Sequence, residues 1–162
     1  MQQVLKVSRK IDYALRAMIH LAGLPHGRLV SHKELADRLS LPKDFTAKIM
    51  KTLSERGLVS SVRGPHGGFK LAKSPQCISM LDVIEATEGP VSLNVCLDSK
   101  SSCAVSESCT MYDVWRVGQE KMLDVYRTAT LASLAEQREV LVPLEIRTAA
   151  SRPARPSRAL RV

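Results

Sequence analysis

Aromatic residues are scarce in this sequence, and long hydrophobic runs are absent. Phe, Trp and Tyr make up only 4% of the chain, so the core must be mostly aliphatic, for which the 44% hydrophobic content suffices. No apolar run reaches the roughly 18 residues that a membrane span needs, and "MQQVLKVSRK" lacks the apolar stretch of a secretory signal. We therefore expect a cytoplasmic protein, where clustered thiols stay reduced and bind metal or react.

The sequence also lacks the motifs of enzymes. We find no nucleophile–base pair, no phosphate-binding loop and no radical-enzyme cysteine motif, so we expect no enzymatic activity. Its four histidines stand at positions 20, 26, 32 and 66, and no two of them share the i, i+4 spacing of a helical metal site. A histidine metal site is therefore not predicted.

Charge is unevenly distributed, although the total is +8. Residues 1–73 carry 14 Lys or Arg against 5 Asp or Glu, residues 74–145 carry 5 against 11, and residues 146–162 carry 5 Arg and no acid. A basic module of this size favours nucleic acid as partner, although a solvated basic surface would also explain it. We interpret 1–73 as a DNA-binding domain, 74–145 as a cysteine loop with a dimerisation helix, and 146–162 as a disordered basic tail.

The basic half is predicted to contain three helices. Apolar residues recur at helical spacing across 9–23, and Ser31 followed by Glu34 is the capping-box pattern that begins a second helix. Pro42 suits the first turn of a third helix over 42–56. The core side of the third helix is predicted to be Phe45, Ile49 and Leu53.

The period changes in "LVSSVRGPHGGFKLAK", where apolar and β-branched residues flank a glycine-rich centre. This pattern predicts a β-hairpin. Three helices followed by a hairpin is the plan of a winged helix-turn-helix, so we predict a mainly helical fold with a small β-hairpin. "SMLDVIEATEG" adds a fourth short helix.

A long helix is predicted in "MYDVWRVGQEKMLDVYRTAT", after the cysteine loop. Its apolar stripe consists of Met111, Trp115, Gly118, Met122 and Val125. Little chain remains to cover this stripe, so a second subunit is predicted to do so, which makes the protein a homodimer. Packing on the fourth helix within the same chain is the alternative.

The second helix of a helix-turn-helix pair enters the major groove of DNA, and here it is the helix over 42–56. Its outer side is predicted to present Lys43, Asp44, Thr46, Ala47, Lys48 and Lys51. Lysines there can reach phosphates or guanine edges, and Thr46 or Ala47 can touch a thymine methyl. An ordinary solvated lysine face is the alternative.

The hairpin tip supplies the second set of candidate DNA contacts. It consists of Arg63, Gly64, Pro65, His66 and Gly67. Glycines allow the backbone to approach DNA closely, and an arginine can enter the narrow minor groove of an A·T-rich stretch. The alternative, that the glycines only make the turn, leaves the arginine unexplained.

Three of the four cysteines lie within "CLDSKSSCAVSESC". Their spacing, Cys-x6-Cys-x5-Cys, matches neither a zinc ribbon nor the common ferredoxin runs. Cys96, Cys103 and Cys109 could hold an iron–sulfur cluster with one iron left for a fourth ligand or a small molecule. Free thiols, a redox disulfide and a zinc site stay open as alternatives. Cys77 stands apart and is predicted to be a small buried residue.

"GLVSSVRGPHGGFKLAK" closely resembles the wing of the Rrf (type two) transcriptional regulators, and "DYALRAMIHLA" resembles their first helix. "ISMLDVIEATEG", three cysteines and a long helix follow in the order of that family, so the resemblance covers about residues 6–140. It implies a homodimeric winged-helix transcription factor that binds a palindromic operator on double-stranded DNA. A cluster held by the three cysteines would control that binding.

The family divides by the fourth cluster ligand. Its IscR branch has a histidine three residues after the last cysteine, where this chain has Tyr112. Its NsrR branch has an aspartate in the first helix that reaches the cluster of the other subunit, and Asp12 falls on that position. The resemblance therefore implies Asp12 as fourth ligand, a [4Fe–4S] rather than a [2Fe–2S] cluster, and sensing of nitric oxide, redox state or iron–sulfur status. The alternative for Asp12 is a surface carboxylate paired with Arg16.

Two other functions remain open from the sequence. The winged helix could respond to oxidation of the loop cysteines with no cluster bound. It could also bind another protein rather than DNA, in which case binding would be insensitive to salt.

Overall fold

The computed structural model describes residues 7–99, 103–105 and 107–136. The elements in chain order are α1 (Arg9–Ala22), α2 (His32–Leu39), α3 (Lys43–Glu55), β1 (Val59–Val62), β2 (Gly68–Leu71), α4 (Met80–Glu88), α5 (Val95–Asp98), α6 (Tyr112–Thr128) and α7 (Leu131–Glu136). The predicted helical fold with one hairpin is confirmed. Helices α5 and α7 are additions that the sequence pattern did not indicate.

Side-chain caps fix where the helices begin. Ser31 Oγ accepts the Glu34 backbone N–H at 3.1 Å, as predicted, but the Glu34 carboxylate pairs with Arg28 instead of completing the box. The complete capping box lies at α4, where Ser79 Oγ accepts the Asp82 N–H and the Asp82 carboxylate accepts the Ser79 N–H. Such caps satisfy backbone donors that have no partner within the helix.

One aliphatic core joins the residues on both sides of position 73. It contains Ala14, Ala17, Met18, Leu21, Val30, Leu35, Ile49, Met50, Leu53, Leu58, Val59, Ile78, Val83 and Leu131. The start of α4 is held to the end of α6, because the Met80 N–H donates to Ala129 O at 2.7 Å and the Leu131 N–H donates to Ile78 O at 2.8 Å. The division of the chain at residue 73 stays a prediction, since the core continues across it.

Helices α2 and α3 are joined by a three-residue turn, Ser40 to Pro42. Ser40 adopts a left-handed conformation with φ of 52°, which reverses the chain within this short distance. Leu41 is buried beneath the turn, and its N–H donates to Ala36 O at 2.9 Å. The helix pair therefore has a rigid connection, as a helix-turn-helix requires.

The wing is an antiparallel pair with Val59 opposite Leu71 and Val62 opposite Gly68. It is attached to the helices through Val30, which exchanges two backbone hydrogen bonds with Phe69 at 2.8 and 2.9 Å. A side chain at Gly68 would collide with the Val30 carbonyl, because its Cβ would lie 2.5 Å from that oxygen. The hairpin is thereby held beside α3.

Cys77 is exposed at the end of a single 3₁₀ turn, Pro75–Cys77, at the surface, so the prediction that it is buried is wrong. Helix α6 contacts α4 and α5 but has no buried residue in the described structure. Within the described ranges, no helix combines the length and apolarity that a membrane crossing requires.

Candidate nucleic-acid interface and cysteine loop

Helix α3 and the wing open onto one shared cleft of about 460 Å³. Its walls are His32, Ala47, Lys51, Ser54, Glu55, Ser61, Val62, Arg63, Gly67, Gly68 and Phe69. Four of the residues predicted to contact DNA are among them, two from the helix and two from the wing. The helix and the wing are therefore placed to approach one ligand together.

Most of the side chains predicted to read DNA from α3 are exposed. These are Lys43, Asp44, Ala47, Lys48 and Lys51. Lys51 forms only an exposed ion pair with Glu55, at 3.8 Å, which costs little to exchange for a phosphate. A solvent-facing row with three lysines is what contact with a DNA backbone requires.

Thr46 is the exception and corrects the prediction. It is only 1% exposed, and its hydroxyl donates to Pro42 O at 3.0 Å, inside the first turn of α3. The core seam of the helix is Thr46, Ile49, Met50 and Leu53, while Phe45 is half-buried against Tyr13. Thr46 therefore cannot touch a thymine methyl while α3 stays packed.

His32 belongs to this region, although no pattern in the sequence indicated a role for it there. Its Nε2 lies 2.8 Å from the backbone oxygen of Lys43, and because a carbonyl only accepts, Nε2 must carry the proton. This bond ties the start of α2 to the start of α3, and the same ring lines the cleft. The spacing of the histidines could not reveal it, because the bond joins the ring to a backbone atom.

The wing tip is a closed turn, in which the Gly67 N–H donates to Gly64 O at 2.9 Å. A Cβ at Gly67 would lie 2.2 Å from Val62 O, so only glycine fits there. Crowding inside the hairpin thus accounts for Gly67 without any reference to DNA. Arg63, Gly64, Pro65 and His66 are all exposed at this tip.

The cysteine loop is attached to the rest of the fold at its beginning. Lys10 Nζ donates to Thr87 O at 2.5 Å and Ser8 Oγ donates to Glu88 Oε1 at 2.5 Å, so the start of α1 is fixed to the end of α4. The Leu93 N–H donates to Gln119 Oε1 at 2.8 Å, which holds the segment just before Cys96 to α6. Helix α1, the end of α4, the segment that leads into the cysteine loop, and α6 are therefore connected.

The three loop cysteines are free thiols in different environments. Cys96 lies on α5 and is buried, whereas Cys103 and Cys109 are half-buried. Among the described residues, no three His, Cys, Asp or Glu side chains are grouped closely enough to hold a metal ion. Residues 100–102 and 106, between these cysteines, lie outside the described residues.

Asp12 forms an ion pair with Arg16, one turn later on α1. The two side chains meet at 3.0 Å and both are about half exposed, which is the alternative considered from the sequence. An exposed pair of this kind is weak, so it leaves Asp12 available to another partner. Asp12 as a cluster ligand stays a prediction.

A helix-turn-helix followed by an adjacent two-stranded wing, with lysines on the second helix and an arginine at the wing, defines a winged helix-turn-helix DNA-binding protein. Residues 7–137 match the family model described as "Rrf2: Iron-dependent Transcriptional regulator". The chain belongs to the Rrf2 family of transcriptional regulators, whose members are not enzymes. The sequence-based identification of this family is confirmed.

Individual relatives agree with this assignment. An HTH-type transcriptional regulator of Aquifex aeolicus (strain VF5) is 36% identical over 129 residues, covering 78% of this chain and 89% of that protein. The structure of T. potens IscR aligns with a TM-score of 0.66 and 31% identity, over 85% of this chain and 92% of that one. CymR, the global cysteine regulator of B. subtilis, aligns with a TM-score of 0.66 and 30% identity, over 82% and 98%.

Proposed function

We propose that this regulator is a homodimer that binds a palindromic operator, and that an iron–sulfur cluster at Cys96, Cys103 and Cys109 controls the binding. The observation that carries the proposal is the connection described above. The segment between α4 and Cys96 is bonded to α6 through Leu93 and Gln119, and the end of α4 that precedes this segment is bonded to α1 through Thr87 and Lys10. A change in the loop can therefore reach the helices that position the DNA-reading surface.

DNA recognition is assigned to α3 and the wing. In this proposal Lys43, Lys48 and Lys51 contact phosphates or guanine edges in the major groove, with Asp44 and Ala47 beside them. Arg63 enters the adjacent minor groove, and the backbone of Gly64, Pro65, His66 and Gly67 follows the sugar–phosphate chain. The cleft shared by α3 and the wing supports this assignment. A single sugar–phosphate strand separates a major groove from the adjacent minor groove, and this strand could lie in the cleft.

The donors of the loop fit an iron–sulfur cluster chemically. Thiolates are the ligands such clusters take, and three of them leave one iron for a different ligand. We assign that position to Asp12 of the second subunit, since a carboxylate can exchange its weak Arg16 pair for iron. A carboxylate binds iron less firmly than a thiolate, so a bound [4Fe–4S] cluster would offer nitric oxide or an oxidant an accessible iron.

Anaerobic purification followed by absorption spectroscopy, iron and sulfide counts and a nitric oxide titration tests the proposal. We expect a brown protein that bleaches with nitric oxide and then changes its affinity for operator DNA. Cys103→Ser should abolish the colour, whereas Cys77→Ser, outside the loop, should keep it. A colourless wild-type protein that cannot be reconstituted would reject the cluster.

The second candidate is a thiol switch without a cluster. It is supported by the free thiols of the loop and by the likeness to CymR, described as a global cysteine regulator. In that case oxidation of Cys96, Cys103 or Cys109 would change DNA binding. Peroxide treatment of metal-free protein, followed by mass spectrometry and DNA titration, distinguishes the two, because only the thiol switch responds without iron.

A further inference from the structure

One histidine belongs to the wall of the cleft that α3 shares with the wing. His32 is the first residue of α2, is half-buried, and lines the cleft together with Lys51 and Glu55 of α3 and Arg63 of the wing. Histidine is the side chain whose charge ordinarily changes between about pH 5 and 8. The charge of this wall can therefore change near neutral pH through His32.

The two nitrogens of the His32 ring differ in their contacts. Nε2 donates its proton to Lys43 O at 2.8 Å, so in the neutral ring Nδ1 carries no proton and can only accept. Among the described residues, no second hydrogen bond to this ring is formed. Protonation turns Nδ1 into a donor and gives the ring a positive charge, and the bond from Nε2 to Lys43 O is kept.

The net charge of the cleft wall depends on this ring. The other charged wall residues are Lys51, Arg63 and Glu55, which sum to a net charge of +1. Lys51 and Glu55 form an ion pair at 3.8 Å, so the net charge of the wall with a neutral His32 is that of Arg63. A protonated His32 raises the net charge of the wall to +2. The cleft then attracts an anion about twice as strongly.

The charged groups around the wall do not offer His32 an unpaired acid in the described structure. Those close to His32 in the chain or through its hydrogen bond are Arg28, Lys33, Glu34 and Lys43. Three of them are cations, and the carboxylate of Glu34 is paired with Arg28 at 3.2 Å. The acid of the wall, Glu55, is paired with Lys51. A protonated His32 therefore has to find its anion outside the described chain.

We propose that the cleft is a subsite for one operator phosphate, which protonated His32 binds from α2 and Lys51 binds from α3, beside Arg63. This rests on the DNA binding of the proposed function and adds a regulation to it, because each subunit takes up one proton from solvent at His32 when it binds the operator. The protonated ring binds phosphate and the neutral ring does not, so operator affinity rises as pH falls and is lost as pH rises.

His32→Gln tests this subsite, because a glutamine amide can still donate to Lys43 O but cannot gain a charge. Operator binding by the full chain is measured by fluorescence anisotropy at fixed salt, at pH 6 and pH 8. Wild type should bind about tenfold more tightly at pH 6, as expected for one added charge-assisted contact. His32→Gln should match wild type at pH 8 and lose this gain. His26→Gln, at an exposed histidine before α2, is the control that behaves as wild type.

The salt dependence separates a phosphate contact from a merely structural role of His32. The logarithm of the affinity falls with the logarithm of the salt concentration, with a slope of about 0.9 for each phosphate that is neutralised. The slope of wild type should be steeper at pH 6 than at pH 8 by about this amount for each His32 bound to phosphate. The slope of His32→Gln should be the same at both pH values. A structural role would change the affinity without this difference in slope.

A second variant covers the case in which His32→Gln does not fold. His32→Lys carries its charge at both pH values, so its affinity for the operator should be equal at pH 6 and pH 8. A tenfold gain that persists in either His32 variant would overturn the subsite, as would a gain that is lost in His66→Gln instead, at the wing tip. An effect of acid on a cluster would appear equally in wild type and the variants, which share the cysteine loop.

The outcomes also separate this inference from the proposal on which it rests. A wild-type protein that binds no operator at either pH would overturn both. A wild type that binds the operator equally well at pH 6 and pH 8 would overturn the proton-linked subsite alone.

Discussion

Replacing Arg63 by alanine tests whether the wing reads the DNA sequence or only contacts its backbone. Arg63 is exposed, follows β1 directly and lines the cleft shared with α3. An arginine that reads a groove contributes about 1–3 kcal/mol of discrimination between sequences. This corresponds to about 5- to 150-fold in the dissociation constant. A phosphate contact instead lowers the affinity for every sequence alike.

The assay is fluorescence anisotropy at fixed salt with two duplexes, an operator selected from random DNA and a scrambled version of it. Arg63→Ala should weaken operator binding about tenfold more than scrambled binding. Arg56→Ala is the matched control, because Arg56 is an exposed arginine at the end of α3 that does not line the cleft. Its effect on the two duplexes should be small and equal. Equal losses on both duplexes for Arg63→Ala would refute the minor-groove role.

Four further substitutions have defined outcomes. Ser40→Gly should raise the free energy of unfolding by about 0.5 kcal/mol in urea titrations, because glycine adopts the left-handed turn without strain; a decrease would contradict the rigid turn. Gly67→Ala should lower the free energy of unfolding by about 2 kcal/mol and weaken operator binding, because the alanine Cβ would collide with the Val62 carbonyl. Thr46→Val should cost about 1 kcal/mol through its lost hydrogen bond while leaving the preference for operator over scrambled DNA unchanged; a changed preference would restore Thr46 as a reader. Asp12→Ala should keep DNA binding in anisotropy assays but alter the response to nitric oxide, and an unaltered response would remove Asp12 from the ligands.

The helices and strands between residues 9 and 71 were predicted well from the sequence because their signals are local. Ser31, Pro42 and the glycines of the wing mark the boundaries of elements, and each boundary was observed within a residue or two. The error at Thr46 arose at the edge of a helix face. Ile49 and Leu53 do lie in the buried seam, but Phe45 is only half-buried, and the next residue, Thr46, takes the buried position in its place.

The cysteine loop and its surroundings were less predictable, because long-range contacts decide them. Cys77 was predicted to be buried because cysteine usually is, but it lies in a 3₁₀ turn at the surface. The hydrogen bonds from Lys10 to Thr87 and from Leu93 to Gln119 join residues far apart in sequence, and no periodic pattern in the sequence predicts them. Local signals therefore identify the elements that carry the candidate DNA contacts, whereas the contacts around the cysteine loop need the structure.

The charged side of α6 has a consequence for how the regulator leaves DNA. In the proposed homodimer, whose contact is predicted on the apolar stripe of α6, added salt would have little ionic contact to remove, because Arg116 and Arg127 are satisfied by acids of their own helix. The exposed lysines of α3, in contrast, lose phosphates steeply as salt rises. A step to high salt concentration should therefore release intact dimers from DNA. Rebinding after dilution would then be first order in protein, without the delay of reassembly.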